Sequence, residues 1–349
     1  MLREEIAVAK NPAAARDGKF AALSTAMLAS SPLSARALRN YGLHREALGD
    51  KAGARKAFLA SDAVSRRDGL TQYWLINDAA RSGDDRRALQ HFDAILRVMP
   101  DTTQPMIERL ALATANPRAR REMAGFVRAD NPWFTRYVEA AVAKLPDMEP
   151  LAQLFVDAGQ APDVPALRTP YRQIVDGLVR DRKMALLGRF YPLLPAARSG
   201  DLRTIGVDER AFQGGYPPVV WDLGESSDRG GALIQFEGKV ALELFGLPDT
   251  HGMAARKLVI PPSGATRLTW TVIDQSRNDD SRAYWVLRCL DEDKAAQEVR
   301  SVDLLGEGAP ARAQMALPRG CGTVLVQFEI DGGTGRDPAR MVFNSISIG

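Results

Sequence analysis

Near Ser199-Gly200-Asp201 the sequence changes its period. Before that point apolar residues recur three and four apart in runs rich in Ala, Leu and Arg, the period of a helix with one buried face. After it Gly, Pro, Val, Thr and Phe take over, and short runs alternate residue by residue, the period of a half-buried strand. One pattern cannot serve both states, because a helical stripe is scattered over both faces of a strand. The chain therefore reads as a multidomain α plus β protein. Helices are expected over 1–202 and an antiparallel β-sandwich over 203–349. With 349 residues there is enough chain for more than one core.

Within the helical region, PMIERLALATA, PRARREMAGFVRA, PWFTRYVEAAVAKL, MEPLAQLFVDAG and LRTPYRQIVDGLVRDRKMALLGRFYPLL each show apolar residues three and four apart, and several open after Pro or Asn-Pro and stop at Gly or Pro, as helix punctuation requires. A spacing of 34 also recurs: Ala54, Phe58 and Ser61 return as Ala88, Phe92 and Ile95, and Pro32 is followed two periods later by Pro100. GLHREALGDKAGARKAFLAS and LINDAARSGDDRRALQHFDAILRVMP resemble the tetratricopeptide repeat. In that family small residues let paired helices approach and a Phe fills the gap to the next pair. The resemblance is best over 34–100 and degenerates after Pro100. Ile76 departs from it where Gly is expected, and Gln72 where Trp is common. It implies an α-solenoid of helical hairpins whose concave surface binds a protein partner.

Seven alternating runs, from ALIQFEG to RMVFNSISI, are separated by turn clusters such as Pro261-Pro262-Ser263-Gly264 and Asp331-Gly332-Gly333-Thr334-Gly335. LVIPPSGATRLTWTVID and the ending Met341-Val342-Phe343-Asn344-Ser345-Ile346-Ser347-Ile348 resemble the jelly roll of carbohydrate-binding modules. Helical repeats followed by such a sandwich resemble hypothetical proteins of bacterial exopolysaccharide systems. The resemblance implies a polysaccharide or oligosaccharide ligand, stacked on flat rings and bonded by flanking polar groups. In AYWVLRC, alternation puts Ala283, Trp285, Leu287 and Cys289 on one face, wholly apolar and inward. Tyr284 and Arg288 take the outward face and are candidate sugar contacts. Trp270 shares an inward face with Leu268 and Val272. Tyr216 and Trp221, in the loop-like FQGGYPPVVW, are candidates at the rim. The related modules often hold calcium near the last strand, but Asn344 followed by Ser345 is a weakened ligand set. The acidic turns Asp279-Asp280 and Asp291-Glu292-Asp293 could hold a structural calcium; solvated turns are the plainer expectation. No other cofactor is expected.

Both cysteines, Cys289 and Cys321, fall in the strand-rich part. A bridge between them would imply an oxidising compartment, the periplasm or the exterior. Two buried free thiols would instead allow a cytoplasmic protein. The first twenty residues contain no apolar run of signal-peptide type, and no stretch reaches the length of a membrane span. Charge is uneven: residues 1–202 hold 30 Lys and Arg against 23 Asp and Glu, whereas 203–349 hold 16 against 20. The plainer reading is Arg-rich solvated helices; no nucleic-acid partner is implied.

The chain lacks G-x-S-x-G, H-E-x-x-H, the P-loop pattern and C-x-x-C. His44, His91 and His251 have no ligand spacing, so no metal site is expected. The expectation is a non-catalytic binding or scaffold protein of the bacterial envelope, serving exopolysaccharide synthesis or export. Two rivals stay open. One is a polysaccharide-acting enzyme, a glycoside hydrolase or lyase with acids on the sandwich face. The other is a pure protein scaffold without a sugar ligand.

Overall fold

Short polar side chains start the helices of the N-terminal region. Asp17, Ser34, Asp50, Asp68 and Asp84 each accept a hydrogen bond from a first-turn amide of the helix that follows. This satisfies donors that have no intrahelical partner, and the carboxylates also face the positive end of the helix dipole. The computed structural model describes residues 11–99, 104–198, 200–224, 226–295 and 297–349. The first ten residues, the repeat-closing Pro100 and Ser199 of the boundary lie outside them.

The helices so begun are α1 (Gly18–Ser30), α2 (Ala35–Ala47), α3 (Lys51–Val64), α4 (Gly69–Ser82) and α5 (Asp85–Val98). Then come α6 (Gln104–Ala113), α7 (Pro117–Met123) and α8 (Phe134–Lys144). Helix α2 packs on α3, and α4 on α5. The 34-residue spacing falls on buried positions: Ala54, Phe58, Ser61, Ala88 and Ile95 are buried and Phe92 is half-buried. Gly42 explains the need for a small residue. A Cβ there would lie 3.0 Å from the Phe58 ring, which stacks on Trp74 with centroids 4.3 Å apart. One phenyl ring thus links the α2–α3 pair to α4. Gln72, the departure from the repeat, is buried; it donates to Asp62 at 2.6 Å and bonds His91 Nδ1 at 2.7 Å. A buried amide needs such partners, and these tie α3, α4 and α5 together.

The chain divides into two compact units, 1–145 and 146–349. The second holds three helices, α9 (Glu149–Ala158), α10 (Arg168–Arg180) and α11 (Met184–Phe190), and all the described strands. These are β1 (Arg229–Phe236), β2 (Lys239–Gly246), β3 (His251–Val259), β4 (Arg267–Ser276) and β5 (Arg282–Cys289), followed by β6 (Glu298–Arg300), β7 (Arg312–Ala316), β8 (Val324–Asp331) and β9 (Ala339–Ile348). They form two antiparallel sheets, ordered β1-β2-β9-β4-β7 and β3-β8-β5-β6. So the protein is α plus β, helices first and sheets after.

The inward faces of both sheets share one core. Trp285 is fully buried in it, with ring centroids 5.0 Å from Phe328, 5.4 Å from Phe343 and 6.4 Å from Trp270. Phe343 and Trp270 belong to the opposite sheet, so this one indole joins the two layers. Trp270 is buried as its alternation requires. Cys289 and Cys321 form a disulfide, fastening the end of β5 to the turn before β8.

Two stability outcomes follow. Trp285→Ala should cost about 3–5 kcal/mol in denaturant unfolding, the usual range for removing a large buried aromatic. Tyr284→Ala, one residue away but half-exposed, should cost about 1 kcal/mol or less; equal losses would mean that the faces of β5 are assigned wrongly. The bridge spans 32 residues, so its reduction should remove about 3–4 kcal/mol on the chain-entropy relation. An unchanged unfolding midpoint in reductant would show that it adds nothing to stability.

Candidate functional site

The outward face of β5 is set by what its inward face buries. With Ala283, Trp285, Leu287 and Cys289 committed to the core side, Tyr284, Val286 and Arg288 must point the other way, where Val286 is buried beneath its neighbours and Tyr284 is half-buried. The ladders then fix their neighbours: Tyr284 lies opposite Glu329 of β8, Val286 opposite Arg300 of β6, and Arg288 opposite Glu298 of β6. Arg288 Nε donates to Glu298 at 2.8 Å, and its Nη2 lies 3.7 Å from Glu329. Arg300 donates to Glu329 at 2.6 Å, and its guanidinium sits 4.8 Å from the centre of the Tyr284 ring.

Tyr284 and Arg288 thus belong to one row of a phenol ring, two guanidinia and two carboxylates. The Arg288 and Glu298 side chains are 44% and 47% exposed. Exposed pairs of this kind contribute only about 0–1 kcal/mol each. Together they hold fork-shaped donors and acceptors beside a ring, which can be exchanged for polar groups of a ligand.

The other two candidates do not stand at an exposed rim. Trp221 is 4% exposed; its ring packs against Phe212 at 6.0 Å and Trp285 at 6.3 Å, and its Nε1 donates to the Gly206 carbonyl. Tyr216 is 6% exposed, set edge-on against Tyr171 and Tyr191. Neither offers a ring face at the rim. Their loop folds inward because burying two large aromatics gains more than leaving them in water.

The acidic turn after β5 is also more than solvated. Asp291 accepts from the amides of Gly322 and Thr323 at 2.8 and 2.9 Å and from Lys294 at 2.9 Å. Burial pushes its carboxyl up, but these donors outweigh burial and hold it below the usual carboxylate range. Cys289, Asp291 and Cys321 come close enough to suggest a metal triad, yet both sulfurs are spent in the disulfide and the carboxylate is filled by donors.

Sequence reasoning missed Lys257. It is 1% exposed, and its Nζ donates to the carbonyls of Asp201, Val219 and Leu258. Burial pulls the ammonium down to about 7, with the charge of Asp201 opposing. Closed off from solvent, it is a fastener rather than a nucleophile. The signal was its register: Lys257 pairs with Val326 on the inward side, two residues from Ala255 and Val259.

No protein-family model and no curated protein matches the chain. Among solved structures, the carbohydrate-binding module TmCBM61 in complex with β-1,4-galactotriose aligns at 11% identity, covering 42% of this chain and 99% of that one, with a TM-score of 0.28. The structure of accessory secretory protein 1, 2 and 3 of Streptococcus pneumoniae aligns at 10% identity over 36% of this chain and 90% of that one, with a TM-score of 0.25. At these scores neither likeness carries an argument about this chain.

A pH outcome follows from Lys257. Its ordinary value is about 10.4 in the unfolded chain against about 7 when folded. Between these the unfolded state binds the extra proton, so this site's contribution to stability should rise with pH from about 7 to about 10 and be flat below. Denaturant unfolding of wild type and Lys257→Met at about pH 6.5 and about pH 9.5 should show the gap between them shifting toward wild type at the higher pH. A gap independent of pH would contradict the depressed value.

Proposed function

We propose that the protein is a non-catalytic binding protein of the bacterial envelope, taking a glycan on its sandwich and a protein partner on its helical repeats. The observation that carries the glycan reading is the row Tyr284, Arg300, Glu329, Arg288 and Glu298 on one strand face. A sugar's C–H face would stack on the Tyr284 ring in place of the Arg300 guanidinium that lies over it, and its hydroxyls would replace the weak ion-pair contacts. The orders β2-β9-β4-β7 and β3-β8-β5-β6 support a jelly-roll topology for the sandwich, with β1 as an added edge. The recurrent burial of Ala54 and Ala88 and the Gly42–Phe58–Trp74 packing support a tetratricopeptide-like solenoid for the helical repeats, the kind of surface that binds extended protein segments. The disulfide supports an oxidising compartment, periplasmic or extracellular. A role in exopolysaccharide synthesis or export fits these parts. The binding reading is preferred to the hydrolase reading because Glu298 and Glu329 are each already in an ion pair, and the Glu298 side chain is 47% exposed rather than closed off from water.

Affinity electrophoresis of the whole chain through gels holding neutral or acidic polysaccharides tests this. Wild type should be retarded by at least one glycan. Tyr284→Ala and Arg288→Ala should each weaken retention about five- to tenfold, a loss of about 1–1.4 kcal/mol, with the melting point kept. Retention by no polysaccharide would favour the pure scaffold, and release of reducing ends would favour the enzyme.

A further inference from the structure

A sheet edge presents unpaired amides and carbonyls, and folds that stay single block it with short strands, charges, proline or a covering segment. The two sheets end on β3, β6, β7 and β1. Along β3, Asp222 and Arg256 exchange both backbone bonds, the Leu258 amide donates to Pro218 and the Ile260 amide to Leu202. β6 is three residues long and charged at both ends, by Glu298 and Arg300. β7 is five residues long and opens on Arg312. β1 has none of these protections over most of its length. It runs for eight residues, and from Gly230 to Phe236 it holds no charge and no proline.

The ladder shows which groups of β1 are unused. Glu237 and Gly238 form a two-residue turn into β2, with left-handed φ of 50° and 75°, so Phe236 and Lys239 close it as a bonded pair. Counting back by twos, Ala232 and Ile234 also bond to β2, and Gly231, Leu233 and Gln235 turn their N–H and C=O away from it. The Gly231 amide does point outward, donating to the Leu223 carbonyl at 3.0 Å. The backbone groups of Leu233 and Gln235 that point the same way have no partner among the described residues. The side chains around them are mostly apolar. Leu233, Ile234 and Phe236 are half-buried, and Leu233 lies opposite the core residue Leu242.

We propose that β1 is a dimerisation edge, pairing antiparallel with β1 of a second copy of this chain about a two-fold axis through Ile234. In that register Leu233 of each copy faces Gln235 of the other. Each unused N–H then meets an unused C=O and none is left over. Ile234 meets its counterpart, and Ala232 meets Phe236, on the face of the sheet away from the core. The neighbouring registers fail. An axis through Leu233 needs the outward groups of Gly231, which Leu223 already holds, and an axis through Gln235 sets Leu233 against Glu237 in the turn. A second copy is the occupant because these groups complement themselves about Ile234, and no charge along the strand selects a different sequence. The edge lies in the sheet opposite the Tyr284 face, so it stands or falls separately from the glycan reading above.

Sedimentation velocity of the whole chain over roughly a hundredfold range of concentration tests this. Monomer should give way to dimer as concentration rises. Gln235→Pro removes an outward amide while sparing the bonds to β2, and should weaken the dimer at least about tenfold with an unchanged circular dichroism spectrum. Ile234→Lys, which sets like charges opposite each other, reads the same loss should the proline variant fail to fold. The two native cysteines are bridged, so an introduced thiol reports on its own position. Ile234→Cys should cross-link two copies under mild oxidation, since directly opposite residues of such a pair stand about 4.5 Å apart. Ala232→Cys should not, its two thiols being about 13 Å apart along the strands. A monomer at every concentration overturns the proposal and leaves the edge to a segment of another protein. A dimer that survives both Gln235→Pro and Ile234→Lys, or that cross-links through Ala232→Cys rather than Ile234→Cys, places the interface elsewhere and overturns it as well.

Discussion

The burial of Trp285 between the two sheets fixes more of this molecule than any other contact. Its indole meets Phe328 in its own sheet and Phe343 and Trp270 in the other. Because side chains alternate along a strand, an inward Trp285 leaves Tyr284 no choice but the outward face. A slip of one residue would bury Arg288 and expose the indole. That would cost far more than any surface pairing recovers. The candidate site is thus a consequence of core packing, since its own ion pairs are too exposed to organise it.

Around that core the second unit is tied by bonds at loop ends. The disulfide and the Asp291 carboxylate clamp the turn before β8 onto the end of β5. Lys257 gathers carbonyls of Asp201, Val219 and Leu258, holding the turn after the helices to an edge strand. Asp201 also accepts from Tyr191 at 2.8 Å, and Tyr191 packs on Tyr216. A substitution at Asp201 would remove the carboxylate that Tyr191 meets but leave the backbone carbonyl that Lys257 holds.

What could be read from the residues was whatever their periodicity expresses. The two faces of AYWVLRC, the inward place of Trp270 and the repeated burial behind Ala54 and Ala88 are all periodic, because a regular element repeats its environment. The pairing of two cysteines in one sandwich was legible for a simpler reason, there being no others. Tyr216 and Trp221 were not legible. A loop has no period, and whether its aromatics fold inward is settled by tertiary packing. Lys257 was hidden because lysine is almost always exposed; only the ladder register shows it inward. Composition marks where helices give way to strands near 201, but it does not say which helices pack with the strands. The contacts place 149–193 with them.

If the Tyr284 face of the β3-β8-β5-β6 sheet meets a glycan, as proposed, its Trp285 face stays in the core throughout. Hydroxyl-radical footprinting of the whole chain, with and without a polysaccharide that retards it, addresses both halves at once. Tyr284 should be modified in the free protein and protected when the glycan is present, with Trp285 unreactive in both states. Undiminished modification of Tyr284 under conditions where the glycan is bound would contradict it.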